Sequence, residues 1–179
     1  METLNTLKGI LLCLAISCLI GCDTDIPETD NISPTFRFEI RGDGFSRVFT
    51  EEDEFDDFQL NLKAGASFTI MFSGADQGGL KRLQMEFPQE YFDFQTDIDS
   101  PWQTTTNTFT RTIYWNGDRE NPLTGYVFNG RFIASNDVGF PSIYLRAEDF
   151  GGESGPPFNI SEGTINISIN NHDTEVLNY

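Results

Sequence analysis

Carboxylates are the most abundant side chains in this sequence that could carry out chemistry. The 179 residues include 28 Asp and Glu, 11 Lys and Arg and a single His, which gives a net charge of −17. Two carboxylates at a fixed separation can hydrolyse a glycoside, but with so many acids the sequence singles out no pair. The histidine, His172, lies in a polar segment, whereas a Ser-His-Asp arrangement needs a firmly held imidazole. The sequence therefore predicts no catalytic residues and no enzyme, with a small carboxylate-based hydrolase as an alternative.

The acids are densest in residues 51–57, which read Glu-Glu-Asp-Glu-Phe-Asp-Asp. This run lacks the glycine and the terminal glutamate of an EF-hand loop. Because like charges repel one another, a solvated loop is the favoured interpretation. The overall charge argues against binding to nucleic acid or to an anionic lipid surface, and it suits a cation or a basic partner.

Among the aromatic residues, Trp102 is the candidate for binding a sugar ring by stacking. It follows Pro101 in a polar stretch, so we expect its indole to be exposed. Trp115, in contrast, alternates with core positions and is expected to be buried. An exposed Trp102 would support a carbohydrate-binding function.

The three cysteines all lie within the first 22 residues. Lys8 precedes an apolar run from Gly9 to Gly21, which has the pattern of a signal peptide and is too short for a transmembrane helix. The run ends in Leu19-Ile20-Gly21-Cys22, which resembles the lipobox of bacterial lipoproteins. The resemblance implies that residues 1–21 are removed and that the Cys22 thiol carries a diacylglyceryl group. Two or more acyl chains hold a protein stably on a bilayer.

Residues 22–34 would then comprise the lipidated cysteine and a flexible acidic linker, in a protein of the cell envelope. The outer membrane is the predicted location. Acidic residues just after the lipidated cysteine resemble a surface-export signal of some Gram-negative groups, whereas Asp23 directly after it resembles an inner-membrane retention signal of enterobacteria. The sequence leaves the face of the membrane open.

From residue 35 to residue 170, apolar residues recur with a period of two, as in half-buried strands, and no helical period competes. Turn signals such as Asn116-Gly117 and Gly151-Gly152 separate the strands. We predict an all-β fold of about eight strands in a single antiparallel β-sandwich, followed by a polar tail over 171–179. The apolar members of the alternating runs begin at Phe36, Phe58, Phe68, Leu83, Phe109, Tyr126, Ile143 and Ile165.

Two stretches, residues 66–87 and 143–152, resemble strands B–C and F–G of bacterial immunoglobulin-like domains. The resemblance implies a Greek-key sandwich without an active site of its own; it leaves the connections in 91–124 open. It also implies that the B–C and F–G turns meet at one pole, which would bring Asp76, Glu148 and Asp149 together. These carboxylates could bind Ca²⁺ as a cofactor, or each Asp could cap its own turn.

These observations predict a membrane-anchored, non-enzymatic lipoprotein of the cell envelope. Its immunoglobulin-like domain would bind a protein or glycan partner or act as a spacer. The alternative is a carbohydrate-binding lipoprotein of a glycan-uptake system.

Overall fold

A computed structural model describes residues 25–179 of the chain. The predicted signal peptide and Cys22 therefore lie outside the described residues. Within residues 25–179, no helix is both long and apolar enough to cross a membrane. The described chain forms twelve β-strands in two sheets, with one short 3-10 helix, Phe55–Asp57.

The first sheet has five strands, and all of its neighbouring strands pair antiparallel. An Asp43-Gly44 turn, in which both residues have positive φ, joins its first two strands into a hairpin. In spatial order, the strands are β2 (Phe45–Thr50), β1 (Thr35–Gly42), β4 (Ser67–Ala75), β9 (Gly125–Ala134) and β6 (Phe92–Phe94).

The second sheet has seven strands and includes one parallel pair, formed by its second and third strands in spatial order. Ile167 and Ile169 of one strand lie opposite Leu60 and Leu62 of the other in this pair. In spatial order, the strands are β12 (Glu175–Asn178), β3 (Phe58–Lys63), β11 (Ile160–Asn170), β10 (Ser142–Asp149), β5 (Leu80–Pro88), β8 (Thr110–Asn116) and β7 (Gln103–Thr106).

The chain crosses repeatedly between the two sheets. It passes from β4 in the first sheet to β5 in the second, enters the first sheet again at β6, and forms β7 and β8 in the second. It then returns to β9 beside β4 and crosses again to β10 beside β5. β11 then pairs with β10, so that the predicted C, F and G strands share one sheet while the predicted B strand lies in the other. This arrangement is the immunoglobulin-like β-sandwich that the sequence predicted.

Phenylalanine is the most frequent residue in the core between the sheets. Phe132 of β9 lies at the centre of one cluster, with ring centroids 5.1 Å from Phe92, 5.6 Å from Phe68 and 6.3 Å from Phe87. All four rings are buried. This packing across the sheets explains why one side of each alternating run is apolar.

The structure has more strands than the periodicity predicts, and the expectation of only antiparallel pairing is wrong. β6 has only three residues, too few for a recognisable alternation, and all four residues of β7 are exposed. β2 has a single buried position, Phe49, and lies at a sheet edge. The two-residue period marks a half-buried strand but cannot indicate the direction of its neighbour, which is why the β3–β11 pair was missed.

Both ends of the described chain differ from the expected linker and tail. The carbonyl oxygen of Pro27 accepts a hydrogen bond from the Glu153 amide at 2.8 Å, and Ser161 donates its hydroxyl to the carbonyl oxygen of Pro34. At the other end, β12 pairs antiparallel with β3 inside the predicted tail 171–179. These contacts are made mainly by backbone groups, which leave no hydrophobic pattern in the sequence.

Candidate functional site

The pole at which β4 and β10 end is the candidate functional site. We call it the N-terminal pole and define it by three segments: residues 25–34, the β4–β5 turn at 76–79 and the β10–β11 loop at 150–159. Hydrogen bonds from Asn159 to Asp30 and from Glu153 to Pro27 join the β10–β11 loop to residues 25–34, and Asp30 and Pro27 pack against Gly78 of the β4–β5 turn. Among the carboxylates on or directly beside these segments, those of Asp30, Asp76 and Asp149 lie close together.

Asp76 and Asp149 each hold the turn that follows them. Oδ2 of Asp76 accepts a hydrogen bond from the Gly78 amide at 2.8 Å, and Oδ1 of Asp149 accepts one from the Gly151 amide at 2.8 Å. A side-chain oxygen bound to the amide two residues on is the Asx-turn arrangement. Gly151 has φ +68, and a Cβ there would collide with the carbonyl oxygen of Pro157, so the turn requires glycine.

Asn159 connects the Asp149 turn to the N-terminal segment. Its backbone amide donates to Oδ1 of Asp149 at 2.9 Å, and its side-chain amide donates to Oδ2 of Asp149 at 2.7 Å and to the carbonyl oxygen of Asp30 at 3.0 Å. Asp149 is fully buried, and both of its carboxylate oxygens accept hydrogen bonds. Its observed role is therefore to hold the loop.

The structure brings Asp30 to the same place as Asp76 and Asp149. One carboxylate oxygen from each of the three lies within 4.8 Å of the others. Asp30 was not among the predicted site residues, because it lies in a polar segment with no periodicity and no pattern there indicates a contact with the domain. Oδ2 of Asp30 lies next to Gly78 in the Asp76 turn.

The proximity of these acids changes the proton affinity of Asp76. Burial of its side chain, and then the nearby charges of Asp30 and Asp149, raise the pKa of Asp76 to about 6. The amides of Gly78 and Gly79 oppose this shift because they stabilise the ionised form. Asp76 can therefore take up a proton in a pH range where most carboxyl groups remain ionised.

A groove of about 600 Å³ opens beside Asp30 and Asp76. Its other lining residues include Pro27, Thr29 and Thr124. Ca²⁺ takes six to eight oxygen ligands, and the cluster offers three carboxylates, one of which is fully engaged in its loop. The hydrogen bonds agree with the turn-capping interpretation of Asp76 and Asp149, and Ca²⁺ binding stays a prediction.

Glu148 does not join this cluster. Its carboxylate forms ion pairs with Lys81 and, at 2.8 Å, with Arg146. Burial alone would raise the pKa of Glu148, but the bonds from Lys81 and Arg146 outweigh burial and the pKa is lowered. Because successive side chains of a strand point to opposite faces, Glu148 and its neighbour Asp149 enter different environments. The expectation that Glu148 belongs to the cation-binding pole is therefore corrected.

The expectation that Trp102 is exposed is also wrong. Only 8% of its surface is accessible, and its ring lies 5.1 Å from that of Phe128 and 6.0 Å from that of Tyr126. Its indole nitrogen donates to the carbonyl oxygen of Val127 at 3.1 Å. Trp102 thus attaches the preceding loop to β9, although the polar sequence around it suggested exposure. Trp115 is buried as predicted.

The remaining sequence candidates are dispersed. In the acidic run, Asp53 accepts hydrogen bonds from the Thr50 amide and from Arg47, and Glu51 accepts one from the Phe36 amide. The run therefore forms a structured turn that leads into the 3-10 helix. His172 is exposed in the β11–β12 connection.

No protein-family model matches this chain, and no curated protein matches it. Among solved structures, the chain is similar to a cohesin module from a family 33 glycoside hydrolase of Clostridium perfringens. The two share 11% sequence identity over 64% of this chain and 97% of that chain, with a TM-score of 0.33. The assignment of the sandwich fold rests on this chain's own strand pairing.

Proposed function

We propose that this chain is a lipid-anchored protein of the cell envelope whose immunoglobulin-like sandwich serves as a non-enzymatic binding module. The outer membrane is the proposed location. The observation that carries the proposal is the position of the N-terminal segment, which lies on one pole of the sandwich a few residues after the predicted lipid-bearing Cys22.

The distance between the anchor and the domain is short. The segment of chain from Cys22 to Pro27 can span at most about 18 Å. The carbonyl oxygens of Pro27 and Asp30 accept hydrogen bonds from Glu153 and Asn159, respectively. A lipid on Cys22 would therefore keep the N-terminal pole close to the bilayer, and the domain would have little freedom to turn over.

The opposite end of the sandwich would then face away from the membrane. The ten residues of β9 rise about 33 Å along the strand. The loops at the far end would be separated from the bilayer by the length of this strand and by the length of the segment from Cys22 to Pro27. This orientation suits a module that presents its far end to a partner.

The roles of the candidate residues favour binding over hydrolysis. Asp149 is engaged by Gly151 and Asn159, and Glu148 is engaged by Lys81 and Arg146. Trp102, the residue that favoured carbohydrate binding, is buried in the fold. A protein partner is therefore the stronger of the two partner classes.

Replacing the predicted lipid-bearing residue tests the anchor. We expect Cys22→Ser to abolish metabolic labelling with palmitate and to move the protein out of the membrane fraction, because the serine hydroxyl does not replace the thiol as acyl acceptor. Cys18→Ser is the matched control, since Cys18 lies within the predicted signal peptide and should leave both readouts unchanged. Palmitate labelling that persists in Cys22→Ser would contradict the proposal.

A further inference from the structure

The end of the sandwich opposite the N-terminal pole carries large apolar side chains in water. We call it the distal pole and define it by the loops 107–109 and 136–140 and the turn 89–91 between them. Phe109 is 78% exposed, Phe140 is 77% exposed and Val138 is 60% exposed. Most of the other phenylalanines are buried between the sheets, so two phenylalanines with this exposure are unusual in the protein.

The exposed rings are mounted on braced loops. The carbonyl oxygen of Phe109 accepts a hydrogen bond from the Gln89 amide at 2.9 Å. On the other side of the turn, Tyr91 accepts one from the Ser135 amide at 2.9 Å, and its ring packs against Gly139. Gly139 also exchanges backbone hydrogen bonds with Ile169 of β11. Both loops therefore contact the same turn.

Two exposed carboxylates lie on the loops and the turn that form the distal pole. Glu90 lies in the turn between the two loops and Asp137 directly precedes Val138, and both are exposed. The guanidinium of Arg111, which lies on β8 next to the loop 107–109, stacks on the ring of Phe94, 5.4 Å from the ring centre. The distal pole therefore combines apolar tips with acidic neighbours.

We infer that the distal pole is a docking surface for a protein segment that combines apolar side chains with Lys or Arg. Phenylalanines held by braced loops lose little conformational entropy on binding, and buried aromatic anchors carry much of the energy of an interface. The acidic neighbours complement basic side chains, and they disfavour both an anionic membrane and the same pole of a second copy. The inference names the binding surface of the proposed module and so rests on that proposal.

Peptide binding in solution tests the surface independently of the anchor. The protein, purified with its natural N-terminus in non-ionic detergent, is titrated with a short labelled peptide of alternating Leu and Lys, and binding is followed by fluorescence anisotropy. Peptides of alternating Ser and Lys and of alternating Leu and Glu serve as comparisons. We expect the Leu–Lys peptide to bind most tightly and its affinity to fall with salt.

Substitutions locate the binding. We expect the double variant Phe109→Ser with Phe140→Ser to weaken binding of the Leu–Lys peptide by about tenfold or more. Leu123→Ser, which alters a 46% exposed side chain at the opposite end of β9, is the matched control and should leave binding unchanged. The melting temperature of each variant verifies that it is folded.

Four results would overturn the inference. The first is equal affinity of the double variant and the parent protein for the Leu–Lys peptide, and the second is equal affinity of the parent protein for the Ser–Lys and Leu–Lys peptides. The third is binding of the parent protein to phospholipid vesicles that the double substitution abolishes. The fourth is a dimer of the parent protein that the double substitution dissociates. Palmitate labelling that persisted in Cys22→Ser would contradict the anchor but leave the peptide result interpretable, so the two failures are distinguishable.

Discussion

At the scale of single residues, Asp30, Asp76 and Asp149 perform the same local task. Each uses one carboxylate oxygen to bind the backbone amide two residues further along the chain. The three turns converge at the N-terminal pole. The carboxylates that stabilise the turns therefore also lie close together, with one oxygen of each within 4.8 Å of the others. Repulsion among these charges is the cost of holding the segment 25–34 on the domain.

The stability of the fold should therefore depend on protonation of Asp76. Its pKa is about 6 in the folded protein and 3.8 ordinarily, so the folded state binds this proton more tightly than the unfolded state does. The resulting stabilisation is fully present below about pH 4 and is lost as the pH rises through about 6. We expect Asp76→Asn to stabilise the protein at pH 7.5 by about 1–2 kcal/mol after allowance for solvent screening, and not at pH 4. Denaturant unfolding across this pH range measures the effect.

Asp118→Asn is the control of opposite sign. Hydrogen bonds from the Glu120 amide and the Asn121 side chain lower the pKa of Asp118, so its stabilisation is present at neutral pH and is lost as the pH falls. We expect Asp118→Asn to destabilise the protein at neutral pH. A free energy of unfolding for Asp76→Asn that follows the parent protein at every pH would refute the assigned repulsion.

The resemblance to immunoglobulin-like domains identified two of the three clustered acids, because it implied that the turns containing them meet at one pole. Asp76 and Asp149 were found in this way, whereas Asp30 was missed because its contacts are long-range and leave no local pattern. Glu148 was misassigned because its pairing with Lys81 depends on the register of β10 against β5. Register between strands distant in sequence is not encoded in the periodicity of either strand alone.

At the scale of elements, the long strands could be predicted and the short edge strands could not. β4 and β5 alternate apolar and polar residues because one face of each packs in the core. β7 has no buried residue, and β12 has none either, so backbone pairing alone defines them. The loop that ends at Trp102 belongs with these elements, since a single buried ring attaches it to β9.

Trp102 should consequently behave as a core residue. We expect Trp102→Ala to destabilise the protein by about 3 kcal/mol, because the substitution removes a buried indole and leaves a cavity against Phe128. Trp102→Phe should recover most of this loss, since the ring is retained and only the hydrogen bond to Val127 is removed. Thermal unfolding measures both variants, and an unchanged melting temperature for Trp102→Ala would contradict the burial.

At the scale of the whole molecule, the two poles of the sandwich have different characters. The N-terminal pole gathers the segment that follows Cys22 and three clustered carboxylates. The distal pole carries the exposed Phe109 and Phe140. The sandwich fold could be inferred from the sequence, but this polarity could not, because it requires knowing which loops share an end.

The proposed orientation on the membrane is tested most directly by distances from the bilayer. Once Cys22 is acylated, the mature chain has no other thiol, so Ser154→Cys at the N-terminal pole and Thr108→Cys at the distal pole can each carry a single fluorophore. In nanodiscs that contain a lipid-linked acceptor, we expect strong energy transfer from position 154 and weak transfer from position 108, because the strands separate the poles by about 30 Å. Equal transfer from the two positions, or stronger transfer from position 108, would contradict the account.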